Sequence, residues 1–299
     1  MKEKSALLVK RQREIKKTAF IFLLPVAVLM AIYVFYPIAD TFITSFYKWN
    51  GISADKLFIG VNNWKKLLTD GSFWASFKNN IVVMILSICI QIPIGLALAT
   101  FVDFVGKKAT VCKVLWFVPL LMSSVAVGFL FSYALATNGG IISTISKLFG
   151  GGNVDLLGNP RTALYTVIGV IAWQFTPFYM VYCMAAYTNI STDVFEAARI
   201  DGATRGQYFR KIALPLLKPS LKSAAILSMV GSLKYFDLVY VMTGGGPGTS
   251  TELMATYMYK YSFSKFNMGY GSTVAAGMFL LISVVSLVTM KLLNGKGEN

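Results

Sequence analysis

The sequence predicts an all-α integral membrane protein with six transmembrane helices and with both termini in the cytoplasm. The first observation is composition: 56% of the 299 residues are hydrophobic and only 14% are charged, whereas a soluble domain carries roughly a quarter charged residues. The second is that the apolar residues form runs long enough to cross about 30 Å of hydrocarbon. The third is that Lys and Arg gather beside the ends of these runs. The predicted spans are 18–38, 79–102, 114–135, 163–187, 219–242 and 271–293, within one transmembrane domain at 18–293.

The basic residues set the predicted orientation of the spans. Residues 1–17 form a tail with seven of them, and because Lys and Arg concentrate on the cytoplasmic side, the tail is predicted there. The first apolar run exceeds the hydrophobic region of a signal peptide and lacks a small-x-small cleavage site, so it is predicted to remain as a span. Over all segments, eighteen basic residues fall on the predicted inner side and nine on the outer side. Residues 294–299 then form a second short cytoplasmic tail.

Several absences narrow the function. The sequence has no histidine, and its three cysteines lie in or beside apolar runs, so neither a metal site nor a disulfide framework is predicted. The glycine-rich segment 243–250 lacks the Gly-Lys-Ser/Thr end of a phosphate-binding loop, so this chain is not predicted to bind ATP or another cofactor. The net charge is +15, but the basic residues lie in short stretches beside the apolar runs and do not form one continuous basic face. This distribution is explained by membrane topology and argues against nucleic acid as a partner.

Three local features are predicted inside this topology. A short helix is expected at 62–68 in the first external loop, and an amphipathic helix at 141–149 is expected to lie at the membrane interface. Gln91 and Pro93 interrupt the second apolar run. Since polar side chains and prolines in a span face protein or water, this span is predicted to pack inside the helical bundle.

One long polar stretch, residues 193–215, separates strongly apolar segments in the second half of the chain. Asp193 followed by Glu196 predicts a capping box at the start of a short helix. Gly202 predicts the end of that helix, because glycine readily adopts the left-handed conformation of a helix C-terminus.

A second short helix is predicted directly after this turn. Thr204 and Gln207 have the spacing of another capping box. The helix is predicted to end at Leu214-Pro215, because proline lacks a donor and disfavours helical geometry in the residue before it. On the residues alone, the whole stretch is either a surface helical hairpin or a docking element for another protein.

The same stretch resembles the EAA loop of permease subunits of ATP-binding-cassette (ABC) importers, through Glu196-Ala-Ala, Gly202 and Leu214-Pro215. The resemblance implies the type I ABC importer permease fold. It also implies that the loop, residues 188–218, is a coupling helix seated in a cleft of a cytosolic ATPase subunit. The implied ATPase contacts are Glu196, Ala197, Ala198, Arg199, Asp201, Gly202, Leu214 and Pro215.

Other motifs are similar to the carbohydrate-uptake branch of that family, which includes the maltose and glycerol-phosphate systems. They are Leu233-Lys-Tyr-Phe-Asp237, the Thr-Gly-Gly-Gly-Pro run ending at Pro247, Phe58-Ile-Gly-Val-Asn62 and Asn79-Asn80. The resemblance covers residues 18–293. It implies a non-enzymatic permease for a sugar or oligosaccharide in the plasma (inner) membrane of a bacterium. The implied partners are a second, homologous permease subunit forming a heterodimer, two ATPase subunits that hold ATP and Mg²⁺, and an extracellular binding protein.

A solute path is predicted on the fourth and fifth spans, where hydroxyls, amides and aromatic faces can replace the water around a polar solute. On the fifth span, Ser228, Ser232 and Tyr235 fall at i, i+4 and i+7, which places them on one face of a helix. Aligning on the maltose-type relative brings its solute contacts to some of the same positions, but glycine and serine here replace aromatic and amide residues, so the same sugar is not implied. The predicted path residues are Trp173, Gln174, Phe178, Ser228, Gly231, Ser232 and Tyr235.

Lys234 and Asp237 are ionisable groups inside or beside the fifth span. At i and i+3 on one helix they can form a structural ion pair, and the alternative is a gate or solute contact. Three alternatives for the whole protein remain open from the residues. The first is a stand-alone secondary transporter or channel, and the second is a permease for a polyamine or a glycerol phosphate ester. The third, a membrane-embedded enzyme, is the least compatible with the residues.

Overall fold

The computed structural model describes the backbone of residues 2–294 and the side chains of residues 12–106 and 108–291. This part of the chain is mostly helical. Its helices are α1 (Lys2–Met30), α2 (Tyr36–Thr44), α3 (Asn62–Thr69), α4 (Gly71–Val105), α5 (Thr110–Leu121), α6 (Ser124–Ala134), α7 (Ile141–Leu148), α8 (Ala163–Tyr187), α9 (Thr192–Ile200), α10 (Arg205–Tyr208), α11 (Leu214–Ser232), α12 (Asp237–Thr243), α13 (Met254–Tyr259) and α14 (Met268–Asn294). The strands β1 (Tyr47–Lys48) and β2 (Leu57–Phe58) pair antiparallel.

Two π-helical turns make longer continuous helices out of these elements. Ala31–Phe35 joins α1 to α2, and Phe209–Ala213 joins α10 to α11. Within the described residues, five helices are long and apolar enough to cross a membrane, or six if the bent pair α5 and α6 forms one span.

The chain divides into two compact units, of which the first contains residues up to 68 together with 261–276. Its centre is the carbonyl group of Ser45, which accepts hydrogen bonds from Asn63 Nδ2 at 3.0 Å and from Thr273 Oγ1 at 3.1 Å. A second bond from Asn63 Nδ2, to the carbonyl of Tyr47 at 3.0 Å, fixes the start of the loop after α2. The helix at 62–68 is therefore confirmed as α3, and its first turn holds the loop in place.

The first span is longer than predicted, because the helix begins before residue 18 and continues to Thr44. In the part of it with the most apolar sequence, none of the residues is buried within this chain. The span therefore takes its packing from lipid or from another protein.

The second unit contains residues 69–260 and those from 277 onward. Its core is formed by α4, α8 and α11, with Val83, Ile171 and Met180 among its fully buried side chains. Helices α4 and α8 pack closely at Gly95, where an added Cβ would lie 2.8 Å from Tyr179 Cβ.

Two predicted spans are broken in the structure. The third, 114–135, is not one helix, because α5 and α6 meet at 95°. The fifth, 219–242, stops at Ser232 and resumes at Asp237 as α12. Each break leaves backbone carbonyls without their helical donors, and in a low-dielectric interior these carbonyls need new ones. In both cases a buried amide side chain is the new donor. Gln174 Nε2 donates to the carbonyl of Met122 at 3.1 Å, and Asn80 Nδ2 donates to the carbonyl of Leu233 at 3.3 Å.

The remaining helices agree with the predicted pattern. Helix α8 has the predicted bounds, α14 includes 271–293, and α7 lies between Gly140 and Gly150. The apolar side chains of α7 are exposed in this chain, whereas Ser143 is buried and exchanges hydrogen bonds with the backbone of Val154. The apolar face of α7 thus points away from the chain. Its place at the membrane interface stays a prediction.

Candidate functional site

The polar loop at 188–218 begins with α9, and its start differs from the prediction. The residue before the helix is Ser191, and neither its side chain nor a capping box closes the helix N-terminus. The predicted capping box between Asp193 and Glu196 is wrong, because the N-cap position of α9 is Ser191 and Asp193 is already a helical residue. Because α9 starts earlier than expected, Asp193 instead lies in the first helical turn, where a carboxylate is favourable near the helix dipole.

The turn after α9 has the conformation that was predicted from Gly202. Its φ is +75°, and its N–H donates to Arg199 O at 3.1 Å, while Ala203 N donates to Ala198 O at 2.9 Å. These two bonds form a Schellman motif, the common left-handed termination of a helix. A Cβ added at Gly202 would meet no atom within 4 Å, so the space beyond this turn is open.

The second capping box is confirmed, but the predicted end of the second helix is wrong. Gln207 N donates to Thr204 Oγ1 at 3.3 Å, and Thr204 N donates to Gln207 Oε1 at 2.8 Å. The helix does not stop at Leu214-Pro215, because Leu214 N bonds five residues back, to Phe209 O, in the π-helical turn. This shift of register leaves a carbonyl without its usual helical donor, and proline, which has no N–H, fits there.

The inner face of the loop is anchored in the core of the second unit. Ala198 and Tyr208 are buried in a cluster with Ala99, Cys183 and Leu217. The rings of Phe195 and Tyr208 meet edge to face, with centroids 5.0 Å apart. This packing is what holds two helices that are individually too short to be stable in water.

The outer face of the loop carries most of the residues expected to contact an ATPase. Two of the expected contacts lie elsewhere: Ala198 is buried and Leu214 is half-buried, and both support the loop from inside. Sequence reasoning missed Ile200, whose side chain is 85% exposed at the end of α9. Its signal was an apolar residue directly before the Asp-Gly turn. The expected contacts with exposed side chains or backbone are Glu196, Ala197, Arg199, Asp201, Gly202 and Pro215.

A buried polar cluster joins α4 to α11 in the second unit. Ser228 Oγ donates to Gln91 Oε1 at 3.3 Å, and the Tyr235 hydroxyl lies near Gln91 and Ser232. Although they lie near this hydroxyl, Gln91 Nε2 and Ser232 Oγ are buried and have no hydrogen-bond partner within 3.5 Å, and the same holds for Ser87 Oγ on α4. Most buried polar groups are paired, so this cluster is unusual in having buried polar atoms left over for further hydrogen bonds.

The structure brings together only part of the predicted solute path. Ser228, Ser232 and Tyr235 lie in the cluster, although Tyr235 lies in the break beyond α11 and not on the same helix. Sequence reasoning missed two members of this cluster. They are Ser87 and Gln91, and it had assigned Gln91 only to packing. Gly231 is exposed, on another side of α11 from the buried Ser232.

The three predicted path residues on α8 are not in this cluster. Gln174 is buried and points to the break between α5 and α6, where it donates to Met122 O and, at 3.4 Å, to Ser124 Oγ. Trp173 and Phe178 are exposed in this chain, and the Trp173 ring packs on Phe131 at 5.2 Å between centroids. Neighbouring positions on a helix face different directions, which explains the separation of Trp173 from Gln174.

The predicted pairing of Lys234 with Asp237 on one helix face is wrong. The break between α11 and α12 separates them, and both side chains are exposed. An ion pair that does form in the second unit joins Lys260 to the buried Glu252. The Glu252 carboxylate also accepts a hydrogen bond from Thr256 at 2.6 Å. Among the described residues, no group of three His, Cys, Asp or Glu side chains has the geometry to hold a metal ion.

Helices of membrane-spanning length and composition, joined by an anchored polar loop, define a multi-pass membrane protein. The chain belongs to the family described as "Binding-protein-dependent transport system inner membrane component", whose model matches residues 71–296. It is therefore a permease subunit of a binding-protein-dependent ABC importer, with the type I permease fold.

Individual relatives agree with this assignment. A permease protein of an ABC transporter from Caldicellulosiruptor sp. (strain Rt8B.4) is 60% identical over 129 residues, which are 43% of this chain and 92% of that protein. The trehalose/maltose transport system permease protein MalF of Thermococcus litoralis is 29% identical over 92% of this chain and 93% of its own length. A chain of a bacterial ABC transporter that imports the acidic polysaccharide alginate superimposes with a TM-score of 0.82 at 21% identity, covering 97% of this chain and 100% of that one.

Proposed function

We propose that this chain is one of two related permease subunits, a heterodimer, in an ATP-driven importer that carries a sugar or oligosaccharide into a bacterial cell. An extracellular binding protein delivers the solute, and two ATPase subunits bind ATP and Mg²⁺ and drive the transport. The loop at 188–218 carries this proposal, because its inner face is packed in the core while Glu196, Ile200 and Gly202 are exposed together on its outer face.

This geometry is suited to transmitting force. A docking element must be rigid toward its own protein and open toward its partner, and α9 meets both conditions. In the proposed mechanism, ATP closes the ATPase pair and draws the two permease loops together. The bundle then changes between inward-facing and outward-facing states as a rigid-body transition.

The first span supports a partner within the membrane. Its most apolar part buries nothing against its own chain. The apolar groove formed by Ile94, Leu115 and Trp173, with a volume of about 560 Å³, is a second uncovered surface, in the second unit. A related permease subunit would cover such surfaces together with lipid.

The polar cluster around Gln91 supports a polar, uncharged solute. It offers an amide and several hydroxyls but no carboxylate or ammonium group, which suits the hydroxyl groups of a sugar. The relative from Thermococcus litoralis is named for trehalose and maltose, and one from Streptococcus mutans, 29% identical over 91% of this chain, is named for multiple sugars. A cationic solute would call for acidic groups, which the cluster lacks.

The test is to isolate the complex through an affinity tag on this chain and to identify the proteins that co-purify from native membranes. The complex is then reconstituted in proteoliposomes with its binding protein, and uptake of labelled mono- and oligosaccharides is measured with and without ATP. We expect a second permease and an ATPase to co-purify and uptake to require ATP. Accumulation of a solute by the purified chain alone would refute the proposal in favour of a secondary transporter.

A further inference from the structure

A pocket of about 420 Å³ lies where the loop at 188–218, the proposed docking loop, meets the end of α4. A smaller one of about 290 Å³ shares Phe195, Arg199, Arg205 and Tyr208 with it and is also lined by Ala198 and Ala203, which flank the Gly202 turn. Aromatic rings line much of both cavities. The docking loop therefore has a cavity of its own beside its exposed outer face.

Two arginines stand in this pocket without an acidic partner. The Arg199 guanidinium carbon lies 5.9 Å from the centroid of the Phe195 ring, and that of Arg205 lies 5.7 Å from the centroid of Phe104. Neither side chain forms an ion pair in the part of the chain that the structure describes. Their positions, on α9 and α10, place one positive charge on each side of the Gly202 turn.

One carboxylate lines the larger cavity beside the two arginines, so its lining still carries one net positive charge. Asp103, at the α4 end, lines the pocket and lies beside the hydroxyls of Tyr187 and Tyr208. Asp193, Glu196 and Asp201 are exposed on the loop and are absent from the lining of the pocket. The pocket thus combines a positive rim with an aromatic floor.

We propose that this pocket receives an acidic side chain of the ATPase subunit, with an apolar neighbour packed against the rings. This inference rests on the proposed function. Guanidinium groups bind carboxylates through two parallel hydrogen bonds, and rings beneath them exclude water and strengthen the attraction. The ATPase is the partner that fits, because the pocket lies in the same loop as the exposed Ile200 and Gly202. The two proteins then interlock in both directions: the loop enters the ATPase cleft, and an ATPase side chain enters the permease.

The occupant would also touch α4 directly. Helix α4 is unbroken from Gly71 to Val105 and carries both Phe104, which lines the pocket, and Gln91, in the polar cluster. The two residues are about 20 Å apart along the helix, at 1.5 Å per residue. A movement of the ATPase side chain can therefore act on the polar cluster directly through α4.

The experiment compares two double variants with the same loss of charge. Arg199→Gln with Arg205→Gln empties the pocket of positive charge, whereas Arg210→Gln with Lys211→Gln removes two exposed charges from the neighbouring π-helical turn. Each permease is placed in nanodiscs with its partner permease, and binding of the purified ATPase subunit is measured at several salt concentrations. Membrane insertion and the unfolding midpoint are measured to exclude misfolding.

We expect the pocket variant to bind the ATPase at least about tenfold more weakly, as for loss of one side of a desolvated charge pair. The control should change by less than about twofold. A charge-reversed Arg205→Glu permease should regain binding with one Asp→Arg or Glu→Arg substitution in the ATPase. Equal weakening in both double variants, unchanged binding in the pocket variant, or failure of every reversal to restore binding would overturn the inference. Failure of the unaltered chain to bind any ATPase would instead refute the proposed function.

Discussion

Ser228 on α11 donates a hydrogen bond to Gln91 on α4 over 3.3 Å, yet the Gln91 amide nitrogen is buried and has no hydrogen-bond partner within 3.5 Å, although the Tyr235 hydroxyl lies near it. A buried unpaired donor costs about 1–3 kcal/mol. A solute that accepted a hydrogen bond from this amide would remove that cost, and we propose the Ser228–Gln91 pair as such a contact.

The first prediction is that Gln91→Leu lowers uptake by about tenfold without lowering the unfolding midpoint. Leucine is similar in size, and it removes an unpaired amide while Ser228 can bond back to its own helix. A solute that bonds to the amide loses that bond, which costs about 1.4 kcal/mol for a tenfold effect. Uptake and thermal unfolding of the purified complex measure the two quantities.

The control is Gln174→Leu, a buried glutamine whose amide nitrogen does have a partner, the Met122 carbonyl. This change should destabilise the protein by about 1–3 kcal/mol, because it leaves a carbonyl at the helix break unpaired. Its KM for the solute should stay unchanged. If Gln91→Leu destabilises as much as Gln174→Leu, the two glutamines have the same structural role and our distinction between them is wrong.

The contrast between these glutamines shows that local features can be predicted from the sequence, whereas hydrogen bonds between distant residues cannot. The apolar runs and the glycine turn are local features, and α8, α3 and the Gly202 conformation follow from them. The breaks after Leu121 and Ser232 depend on Gln174 and Asn80, which lie 50 residues or more away along the chain. Binding partners that distant cannot be read from periodicity, so two spans were predicted as single stretches.

The same limit applies within the docking loop. The Thr204–Gln207 capping box is local and was predicted, whereas the Asp193–Glu196 box failed because the helix begins earlier. Pro215 was misinterpreted because the π-helical turn before it changes the register. That turn depends on packing of its residues in the core, which the sequence alone does not specify.

The second prediction concerns Gly202. Replacement by phenylalanine should abolish coupling of ATP hydrolysis to uptake while the complex still assembles. The strain of a left-handed non-glycine residue costs roughly 1–2 kcal/mol, and the added ring would fill the open space beyond the turn. Assembly is followed by co-purification, and coupling by the ratio of ATP hydrolysed to solute accumulated.

Two further variants separate strain from space at this turn. Gly206→Ala is the matched control, since Gly206 is also open to added atoms and has no positive φ. It should leave coupling intact. Gly202→Asn tolerates the left-handed conformation but still fills the space, so it should impair coupling. Normal transport by Gly202→Phe would show that this turn has no part in coupling.

The third prediction is that Ile200→Ser weakens binding of the ATPase subunit by about tenfold. Full burial of an isoleucine side chain contributes about 1.5–3 kcal/mol, and a tenfold change in affinity corresponds to about 1.4 kcal/mol. Stability of the permease itself should not change, because the side chain is 85% exposed. Binding isotherms of the ATPase to nanodisc-embedded permease provide the measurement.

Its control is Ile52→Ser, which removes a 75% exposed isoleucine from the loop between β1 and β2. We expect no effect on ATPase affinity from that change. Equal affinities for the Ile200→Ser and Ile52→Ser permeases would mean that Ile200 does not enter the interface.

The fourth prediction is that Asn80→Asp destabilises the protein by about 3 kcal/mol. Asn80 Oδ1 accepts from Met254 N at 2.9 Å, and its Nδ2 group faces the carbonyls of Ser232 at 3.5 Å and Leu233 at 3.3 Å. Aspartate keeps the acceptor but replaces the donor, so two carbonyls at the end of α11 would face a buried carboxylate. Loss of hydrogen bonds in a buried site costs about 1–3 kcal/mol each.

The matched change is Asn189→Asp, at an exposed position after α8, which should change the free energy of unfolding by less than about 0.5 kcal/mol. Protonation of the new carboxyl at position 80 restores a donor, so stability of Asn80→Asp should recover as the pH falls, whereas Asn189→Asp should show no such recovery. Thermal unfolding in detergent at several pH values measures both. A midpoint for Asn80→Asp that is as high as that of the unaltered chain would mean that the break between α11 and α12 does not depend on the Asn80 amide. The buried carbonyls of Ser232 and Leu233 would then have to be satisfied from another side.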